Sequence, residues 1–275
     1  MKLEILVATM AQKDFSLVEK MNLQSDTIIA NQDGRWDFAE RKFPCGAVKM
    51  LTSDTRGVGR NRNLALEIAS ADIILFADDD MCYYDGLADG VKNAFHSLPQ
   101  ADVILFSTDI SKNGLLAERR HHPIRRRRLW NSLRFGTYCI AIRRTAAEKH
   151  RLRFSTLFGG GCPYGSGEDS LFLRDCFAAG LQVWSHSFVI GCRSKDTSSW
   201  FAGYNEKFFH DKGALMAALS PKLSCLFCLY FLLKNRHTVL QDTPFRKAFS
   251  LMHSGAKDYM RKESNHEIQH HRTDL

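Results

Sequence analysis

Residues 71–81 read Ala-Asp-Ile-Ile-Leu-Phe-Ala-Asp-Asp-Asp-Met, an apolar run that stops at three consecutive carboxylates. The branched and aromatic side chains of this run are typical of a strand buried on both faces. Ligands of open α/β sheets bind at the carboxyl ends of such strands. Three adjacent carboxylates repel one another, and a hard divalent cation can neutralise them in a closed site. The stretch therefore predicts a parallel sheet with a metal site at one strand end.

The composition predicts a folded chain with a basic surface. The 275 residues are 44% hydrophobic and 11% aromatic, which is enough for one large α/β domain or two small ones. A net charge of +8 indicates an anionic partner, namely nucleotide phosphates, an acidic membrane or nucleic acid, unless it serves solubility alone. Met1–Thr9 contains an acid and no cleavage site, so we expect a first strand, no signal peptide and a cytoplasmic protein.

The eight cysteines lie in apolar contexts. Cys225 and Cys228 form a Cys-x-x-Cys pair, but no second pair accompanies them. Reduced, buried thiols are therefore expected in preference to a zinc or redox site.

Strands and helices alternate over the first 110 residues, which predicts a doubly wound sheet. The expected strands are Leu3–Thr9, Thr27–Ala30, Val48–Thr52, the apolar run from Ile73 that ends at the three carboxylates, and Asp102–Ser107. Helices are expected from Asp14 to Met21, after Asn63, and after Asp85. The polar loop Asp54–Asn63 carries glycines and arginines in front of a helix, an arrangement suited to holding a phosphate. It lacks the third glycine of a dinucleotide fingerprint.

A basic run, Arg119–Arg128, follows this half of the chain. We expect a mobile loop or a basic surface arm, and both a solvated face and a phosphate-facing or membrane-facing role remain open.

A second informative stretch, Phe158–Gly167, is rich in glycine and leads into a helix that begins with Glu168 and Asp169. Acids in a first helical turn are often favoured by the helix dipole alone. The glycine-rich loop in front of them indicates more, because a solvent-exposed cap requires no such backbone freedom.

The C-terminal part contains the apolar run Leu223–Leu233, about half the length that spans a bilayer. It predicts either a packed helix or an interfacial helix flanked by Lys222, Lys234 and Arg236. A polar-aromatic turn is expected at residues 197–201.

These motifs, taken in order, resemble those of the family 2 glycosyltransferases with the GT-A fold, over roughly residues 3 to 200. The resemblance makes Asp78-Asp79-Asp80 the Asp-x-Asp motif, Gly57 to Arg62-Asn63 the donor-side segment, and Glu168-Asp169 the acceptor-side acid pair. It implies an α/β fold with a Rossmann-like, doubly wound, mostly parallel sheet flanked by helices, and a helical C-terminal tail.

The resemblance also implies roles for individual residues. Asp80 and Asp78 would hold Mn²⁺ or Mg²⁺ against the diphosphate of a nucleotide sugar. Since alternate strand residues face opposite sides, Asp79 would face away, where it would either support the metal ligands or contact the ribose. Asp169 would be the base and Glu168 would orient the acceptor, in a single displacement with inversion. The donor, with a UDP-sugar favoured, would contact the following residues: Ala8, Thr9, Met10, Asn31, Arg62, Asp78 and Asp79.

Two features depart from the family pattern. Asn31-Gln32-Asp33-Gly34 stands where many relatives carry a more acidic turn, and no histidine lies near Gly191-Cys192, where relatives often supply a metal ligand. His186 is expected to be a core or edge histidine.

The expected organisation is a catalytic domain at residues 1–205, divided into a nucleotide-sugar half (1–110) and an acceptor half (111–205), with a helical extension at 206–275. The acceptor would be a saccharide or a lipid-linked saccharide, with the enzyme peripheral on the inner face of an anionic membrane. The alternatives are a nucleotidyltransferase on a similar fold, an Asp-x-Asp phosphatase and a basic nucleic-acid-binding protein, although no nucleic acid partner is expected.

Overall fold

A computed structural model describes residues 1–194 and 203–273, the side chains of residues 263–273 excepted. The turn expected at 197–201 lies outside the described residues. The chain divides into two compact units, Met1–Thr156 with Phe172–Ser198, and Leu157–Leu171 with Ser199–Leu275. The boundary expected at residues 205 and 206 stays a prediction.

The strands are β1 (Leu3–Met10), β2 (Asp26–Gln32), β3 (Asp37–Phe43), β4 (Gly46–Ser53), β5 (Ile73–Asp78), β6 (Met81–Tyr83), β7 (Val103–Lys112), β8 (Leu115–Arg120), β9 (Arg125–Arg126), β10 (Ile140–Arg143) and β11 (Val183–Ser194). The helices are α1 (Leu17–Lys20), α2 (Val58–Ile68), α3 (Leu87–Ser97), α4 (Arg144–Lys149), α5 (Glu168–Ala178), α6 (Glu206–Leu219), α7 (Ser224–Lys234), α8 (Arg236–Val239) and α9 (Phe245–Thr273).

The first unit is built on one sheet, with the strand order β3-β4-β2-β1-β5-β10-β7-β11-β6 and with β8 on β7 and β9 on β11. Strands β4, β2, β1 and β5 are parallel neighbours, and β7 and β11 run in the same direction beyond the antiparallel β10. The expected mostly parallel α/β sheet flanked by helices is thereby confirmed. The register pairs Ala8 with both Asp78 and Ala30, so three strands end at one edge.

The core of this unit lies around β5, as its apolar sequence predicts. Residues 73–77 are buried, and the ring of Phe76 meets those of Phe154 and Phe172 edge-on at centroid distances of 5.0 and 5.5 Å. Edge-to-face packing is a favourable aromatic geometry, so β5 is held firmly up to its last residue.

One strand was not predicted, and two local predictions need correction. Strand β3 has the polar sequence Asp-Phe-Ala-Glu-Arg-Lys-Phe and is paired with β4 along its whole length, because an edge strand is stabilised by its ladder without burial. Helix α1 starts only at Leu17, since the carboxylate of Asp14 accepts from the amide of Ser16 in a turn. The basic run is neither loop nor arm throughout, because it contains the end of β8 and all of β9, and Arg127 is buried.

Helix α2 is placed by two glycines. Gly57 has φ +115° and donates its amide to Oε1 of Gln32 at 2.8 Å. Gly59 lies so near Ser155 that a Cβ would stand 2.0 Å from its carbonyl oxygen. The start of α2 therefore approaches the backbone more closely than a side chain would allow.

The second unit consists mainly of helices. Helices α6 and α9 touch through their glycines, since a Cβ at Gly213 would lie 1.8 Å from the carbonyl oxygen of Met252, and one at Gly255 would lie 1.9 Å from that of His210. The inner face of α7, which carries Cys228 and Leu232, packs in an apolar cluster that also contains Met252 of α9.

The opposite face of α7 is exposed and apolar. Its large exposed side chains are Leu226, Leu229, Tyr230 and Leu233, with Leu223 just before the helix. Within the described part of the chain, no helix is both long enough and apolar enough to cross a bilayer. All eight cysteines lie in that part and are free, Cys225 exposed and Cys228 buried.

Candidate active site

The three carboxylates lie where β5 ends. The strand includes Asp78, whereas Asp79 and Asp80 form the turn that leads to β6. The expectation that alternation along a strand separates Asp79 from its neighbours is therefore wrong in its geometry. The three side chains are separated in another way, because each has a partner on a different element.

Asp78 forms an ion pair with Arg62 of α2, whose Nη2 lies 2.5 Å from Oδ1. The Arg62 side chain is only 4% exposed, and its guanidinium carbon lies 5.4 Å from the centroid of the Phe154 ring. Arg62 was expected to contact the donor; here it neutralises a carboxylate of the motif, and the donor contact stays a prediction.

Asp79 is bound to β1. The hydroxyl of Thr9 donates to Oδ2 of Asp79 at 2.5 Å, and Nε2 of Gln12 donates to the same hydroxyl oxygen at 3.1 Å. This bond joins the ends of β1 and β5, so the turn that carries the acids is fixed to the sheet.

Asp80 has the least satisfied carboxylate of the three. Its Oδ2 accepts from Nε of Arg193 at 2.8 Å, and the Arg193 guanidinium lies over the Tyr138 ring at 4.9 Å. Its Oδ1 is buried with no hydrogen-bond partner in the described part of the chain. Burial raises the pKa of Asp80 to about 6, although the Arg193 cation opposes the shift.

These carboxylates fit a divalent cation. A buried carboxylate oxygen without a hydrogen bond offers a lone pair to a hard ion, and the partly exposed Asp78 stands beside it. Among the residues described, no group of three or more His, Cys, Asp or Glu side chains forms a complete ligand set. Asp80 and Asp78 would thus be the protein ligands, and the remaining positions would fall to donor oxygens or water.

The other donor-side residues lie at the same sheet edge but differ in exposure. Met10 is 45% exposed, whereas Ala8 and Thr9 are buried. Asn31 is fully buried, and its amide group exchanges hydrogen bonds with the backbone of Gln12 at 2.9 and 3.0 Å. The side chain of Asn31 therefore shapes the turn after β1, and its direct contact with a donor stays a prediction.

Sequence reasoning missed several residues of this site. Asn61 of α2 donates to the carbonyl oxygens of Thr9 and Ala30 at 3.2 and 2.7 Å, which fixes the helix to two strand ends. Arg193 was missed as well, although it follows the Gly191-Cys192 position where a histidine was sought. A polar residue near the end of a strand was the available signal for Arg193.

His186 lies within β11 and packs beside an aromatic ring of the core. Its Nδ1 accepts from the amide of Phe188 at 3.1 Å, and its ring lies 5.9 Å from that of Phe106.

Glu168 and Asp169 open α5 in the second unit, as the sequence predicts. Both are half-buried, and the Asp169 carboxylate accepts from the amide of Ser170 at 2.6 Å. Gly167 precedes them at φ +121°, where a Cβ would lie 2.6 Å from the Leu215 side chain. The loop therefore reaches the acids by a path that only glycine allows.

Helix α6 holds the glycine-rich loop from one side. Oδ2 of Asp211 accepts from the amide of Gly165 at 2.8 Å, and Nζ of Lys207 donates to the carbonyl oxygen of Pro163 at 2.9 Å. Lys207 and Asp211 also form an ion pair one turn apart. Within the loop, the rings of Phe158 and Tyr164 stack at 4.8 Å. The acid pair thus follows a loop with fixed anchors.

Lys212 supplies a cation near the acid pair. Burial lowers its pKa, whereas the charges of Asp169, Glu168 and Asp211 favour its protonated form. Its Nζ lies 5.6 Å from the centroid of the Phe208 ring. The neighbourhood of Glu168 and Asp169 therefore contains a lysine amine that the sequence does not single out.

The raised pKa of Asp80 predicts a pH-dependent stability. The native state keeps a proton on Asp80 up to a pH of about 6, against about 3.9 in an unfolded chain, so wild-type stability falls as pH rises through this window. In EDTA, Asp80→Asn should therefore gain stability relative to wild type from pH 4 to pH 7, by roughly 1–3 kcal/mol. Urea unfolding at several pH values measures the difference. Asp54→Asn controls for the loss of an exposed carboxylate. If the difference in unfolding free energy between Asp80→Asn and wild type did not change with pH, the raised pKa of Asp80 would be contradicted.

Comparison with known proteins finds a family model that matches part of the chain. Residues 30–152 match the family model described as Glycosyl transferase family 2, a range that contains α2 and all three carboxylates. No curated protein gives a significant match to the chain.

Solved structures share the fold. TarS 1-349 of S. aureus in complex with UDP-GlcNAc is 17% identical, with a TM-score of 0.59, over 88% of this chain and 74% of TarS 1-349. The same protein in complex with UDP is 15% identical, with a TM-score of 0.57, over the same shares of both chains, 88% and 74%. At this identity the likeness shows the fold alone. Residues 30–152 thus match glycosyl transferase family 2, and the chain has the mixed α/β fold of GT-A structures, with a mostly parallel central sheet flanked by helices.

Proposed function

We propose that the chain transfers a sugar from a nucleotide-diphosphate sugar to a hydroxyl group of a saccharide or lipid-linked saccharide, with a divalent cation and with inversion at the sugar. The observation that carries the proposal is the buried Oδ1 of Asp80, just after β5, which has no hydrogen-bond partner among the described residues. A site that leaves a carboxylate oxygen in this state is prepared for a cation.

On the donor side, Asp80 and Asp78 would hold Mn²⁺ or Mg²⁺. The ion, when bound, supplies positive charge that stabilises the departing nucleotide diphosphate. Arg193 and Arg62 keep the two carboxylates in place, and the bond between Thr9 and Asp79 fixes the turn. These contacts hold the carboxylates in position before the donor arrives, which lowers the cost of organising the site.

On the acceptor side, Asp169 would remove the proton from the attacking hydroxyl, and Glu168 would orient the acceptor. The Asp169 carboxylate is half-buried, and Lys212 lies near enough for this carboxylate to favour the protonated form of the lysine amine. Attack on the side of the sugar opposite to the leaving diphosphate gives inversion in a single displacement.

A UDP-sugar is the favoured donor. TarS, which shares the fold, was solved with UDP-GlcNAc and with UDP. The exposed Met10 and the turn after β1, which Asn31 shapes, would contact the nucleotide.

A lipid-linked acceptor would bring the enzyme to the inner face of an anionic membrane. The exposed apolar stripe of α7 supports this location, since Leu226, Tyr230 and Leu233 share one helical face. Lys222, Lys234 and Arg236 flank the stripe, and no acidic residue occurs from Gly213 to Gln241. An apolar face with basic ends is the pattern of a helix that lies in a membrane interface.

The donor and metal assignment predicts a joint requirement. UDP-, GDP- and dTDP-sugars are tested by thermal shift with and without Mn²⁺, and the melting temperature should rise only with the correct nucleotide and the metal together. Asp80→Asn should lose this metal-dependent rise and lower sugar transfer by roughly 100-fold or more. Asp54→Asn, at an exposed position, is the matched control. Full activity of Asp80→Asn would remove the metal assignment.

The base assignment predicts a separation of chemistry from binding. Asp169→Asn should lower kcat by about 100-fold to 10,000-fold, because the hydroxyl or water proton has no acceptor. The Mn²⁺-dependent shift with donor should stay as in wild type. Slow hydrolysis of the donor, followed as UDP release, measures turnover without an identified acceptor. Glu168→Gln serves as the comparison, and unchanged turnover in Asp169→Asn would reassign the base.

The α7 stripe predicts salt-sensitive membrane binding. A variant carrying Leu226→Ser, Tyr230→Ser and Leu233→Ser should bind vesicles of phosphatidylglycerol and phosphatidylcholine about tenfold more weakly, since it loses apolar area that enters the interface. Co-sedimentation at low and high salt measures the binding. Leu115→Ser with Leu116→Ser, at exposed positions of β8, is the control. Equal sedimentation of wild type and the α7 variant would exclude the stripe.

A further inference from the structure

Two cysteines face each other across neighbouring strands of the first unit. Cys82 of β6 is the register partner of Cys192 of β11, in an antiparallel pair that continues to Met81 with Arg193. Residues directly opposite in such a pair place their side chains on the same face of the sheet. Met81 and Tyr83, on either side of Cys82, are buried, whereas Cys82 is exposed and Cys192 is partly exposed. The two thiols therefore share the face of the ladder that solvent reaches.

The hydrogen bonds of this ladder set the distance between the two cysteines. The amide of Ser194 donates to the carbonyl oxygen of Asp80 at 3.0 Å, and the amide of Tyr84 donates to that of Ile190 at 3.1 Å. Every second pair of an antiparallel ladder is hydrogen-bonded, so the cysteine pair between these two bonds is of the same type, with α-carbons about 5.5 Å apart. Cysteines joined by a disulfide have α-carbons about 4.4–6.8 Å apart. The backbone spacing therefore suits a disulfide.

Both thiols also lie near one phenol on this face. The hydroxyl of Tyr84 donates to Oδ2 of Asp109 at 2.9 Å. Burial, followed by the hydrogen bond to Asp109 and its charge, raises the pKa of Tyr84 to about 12, and the thiolate charges of Cys192 and Cys82 act in the same direction. The side chains of the two cysteines are thus close to the same hydroxyl group, as the strand register requires.

Three other cysteines are protected from oxidation by burial. Burial raises the pKa of Cys139 and of Cys228 to about 12, and it also raises the pKa of Cys176. The thiolate is the form that attacks a disulfide, so these three thiols are poor nucleophiles. Cys82 and Cys192 differ from them, because solvent reaches both and each has the other as a partner.

We propose that Cys82 and Cys192 form a reversible oxidation site, which a small organic disulfide such as glutathione disulfide converts into a cross-strand disulfide. The sulfur of Cys82 attacks the reagent, and a mixed disulfide forms with release of one glutathione thiol. The sulfur of Cys192 then attacks the Cys82 sulfur, and the second glutathione thiol leaves. The two cysteine protons end on the two released thiols, so two cysteines are oxidised and one glutathione disulfide is reduced.

The cross-link would lie beside the candidate metal-binding carboxylate without using it. Cys82 follows Asp80 by two residues, and Cys192 precedes Arg193, whose Nε lies 2.8 Å from Oδ2 of Asp80. A disulfide would therefore join the two segments that carry this ion pair. The oxidation requires neither a metal ion nor a sugar donor, so the site is independent of the proposed transferase chemistry.

Glutathione disulfide is the probe, added in excess to the full chain in EDTA at neutral pH. Peptide mapping without reduction, after alkylation of the remaining thiols, should find a link between Cys82 and Cys192, and dithiothreitol should reverse it. Because the link closes the long loop from residue 82 to residue 192, it should raise the melting temperature by roughly 5 °C.

Two variants and a control separate this site from general thiol oxidation. Cys192→Ser should stop at a glutathione adduct on Cys82, and Cys82→Ser should form no link and show no rise in melting temperature. Cys225→Ser removes an exposed thiol of the second unit and should form the link as wild type does. A wild-type chain whose Cys82 carries only a glutathione adduct, stays unmodified or links to another cysteine overturns the proposal, as does an equal rise in melting temperature in Cys192→Ser.

Discussion

Electrostatic repulsion among three adjacent carboxylates is the constraint on which the first unit depends. The strand that carries them is buried up to Ala77, so the charges of Asp78, Asp79 and Asp80 arrive together where water is scarce. Three elements far apart in sequence supply partners that offset this repulsion, namely Arg62 of α2, Thr9 of β1 and Arg193 of β11. Strands β1 and β5 end at this edge of the sheet, and α2 begins near it, where the close approach of Gly59 to Ser155 places the helix.

The hydrogen bonds and ion pairs to the three carboxylates do not satisfy all of their oxygens. Two arginines and one hydroxyl serve three acids, yet one oxygen of Asp80 is buried without a partner in the residues described. A fully satisfied cluster would be more stable and less receptive to an ion, since a bound cation would then have to displace an existing hydrogen bond. Strain of this kind is usual at sites that bind or react, where stability is given up for function.

Local chemistry determined what could be predicted from the sequence. The apolar run before the acids predicted a buried strand with a polar end. The glycine-rich loop before Glu168 predicted a loop of special backbone conformation that leads into a helix beginning at Glu168. The ion pair of Asp80 with Arg193 could not be predicted, because it joins residues 113 positions apart and depends on which strand pairs with β6. Strand β3 was missed because its stability comes from its ladder with β4 and not from its own polar sequence. Arg127 was taken for part of an exposed run, although strand pairing at β9 turns the run toward the interior at that residue.

The contact between Gly213 and Met252 also sets the rotation of α6 about its axis. Lys207, Asp211 and Leu215 lie four residues apart along this helix, and all three reach the glycine-rich loop. A shift of one residue would turn the helix by about 100° and remove all three from the loop together. The backbone contact with α9 leaves no room for such a turn. Gly213, which has no side chain, therefore fixes the orientation of the helix face that contacts the loop before the acid pair. A larger residue at position 213 would rotate or shift α6 and so disturb the loop, although Gly213 lies on the opposite side of the helix.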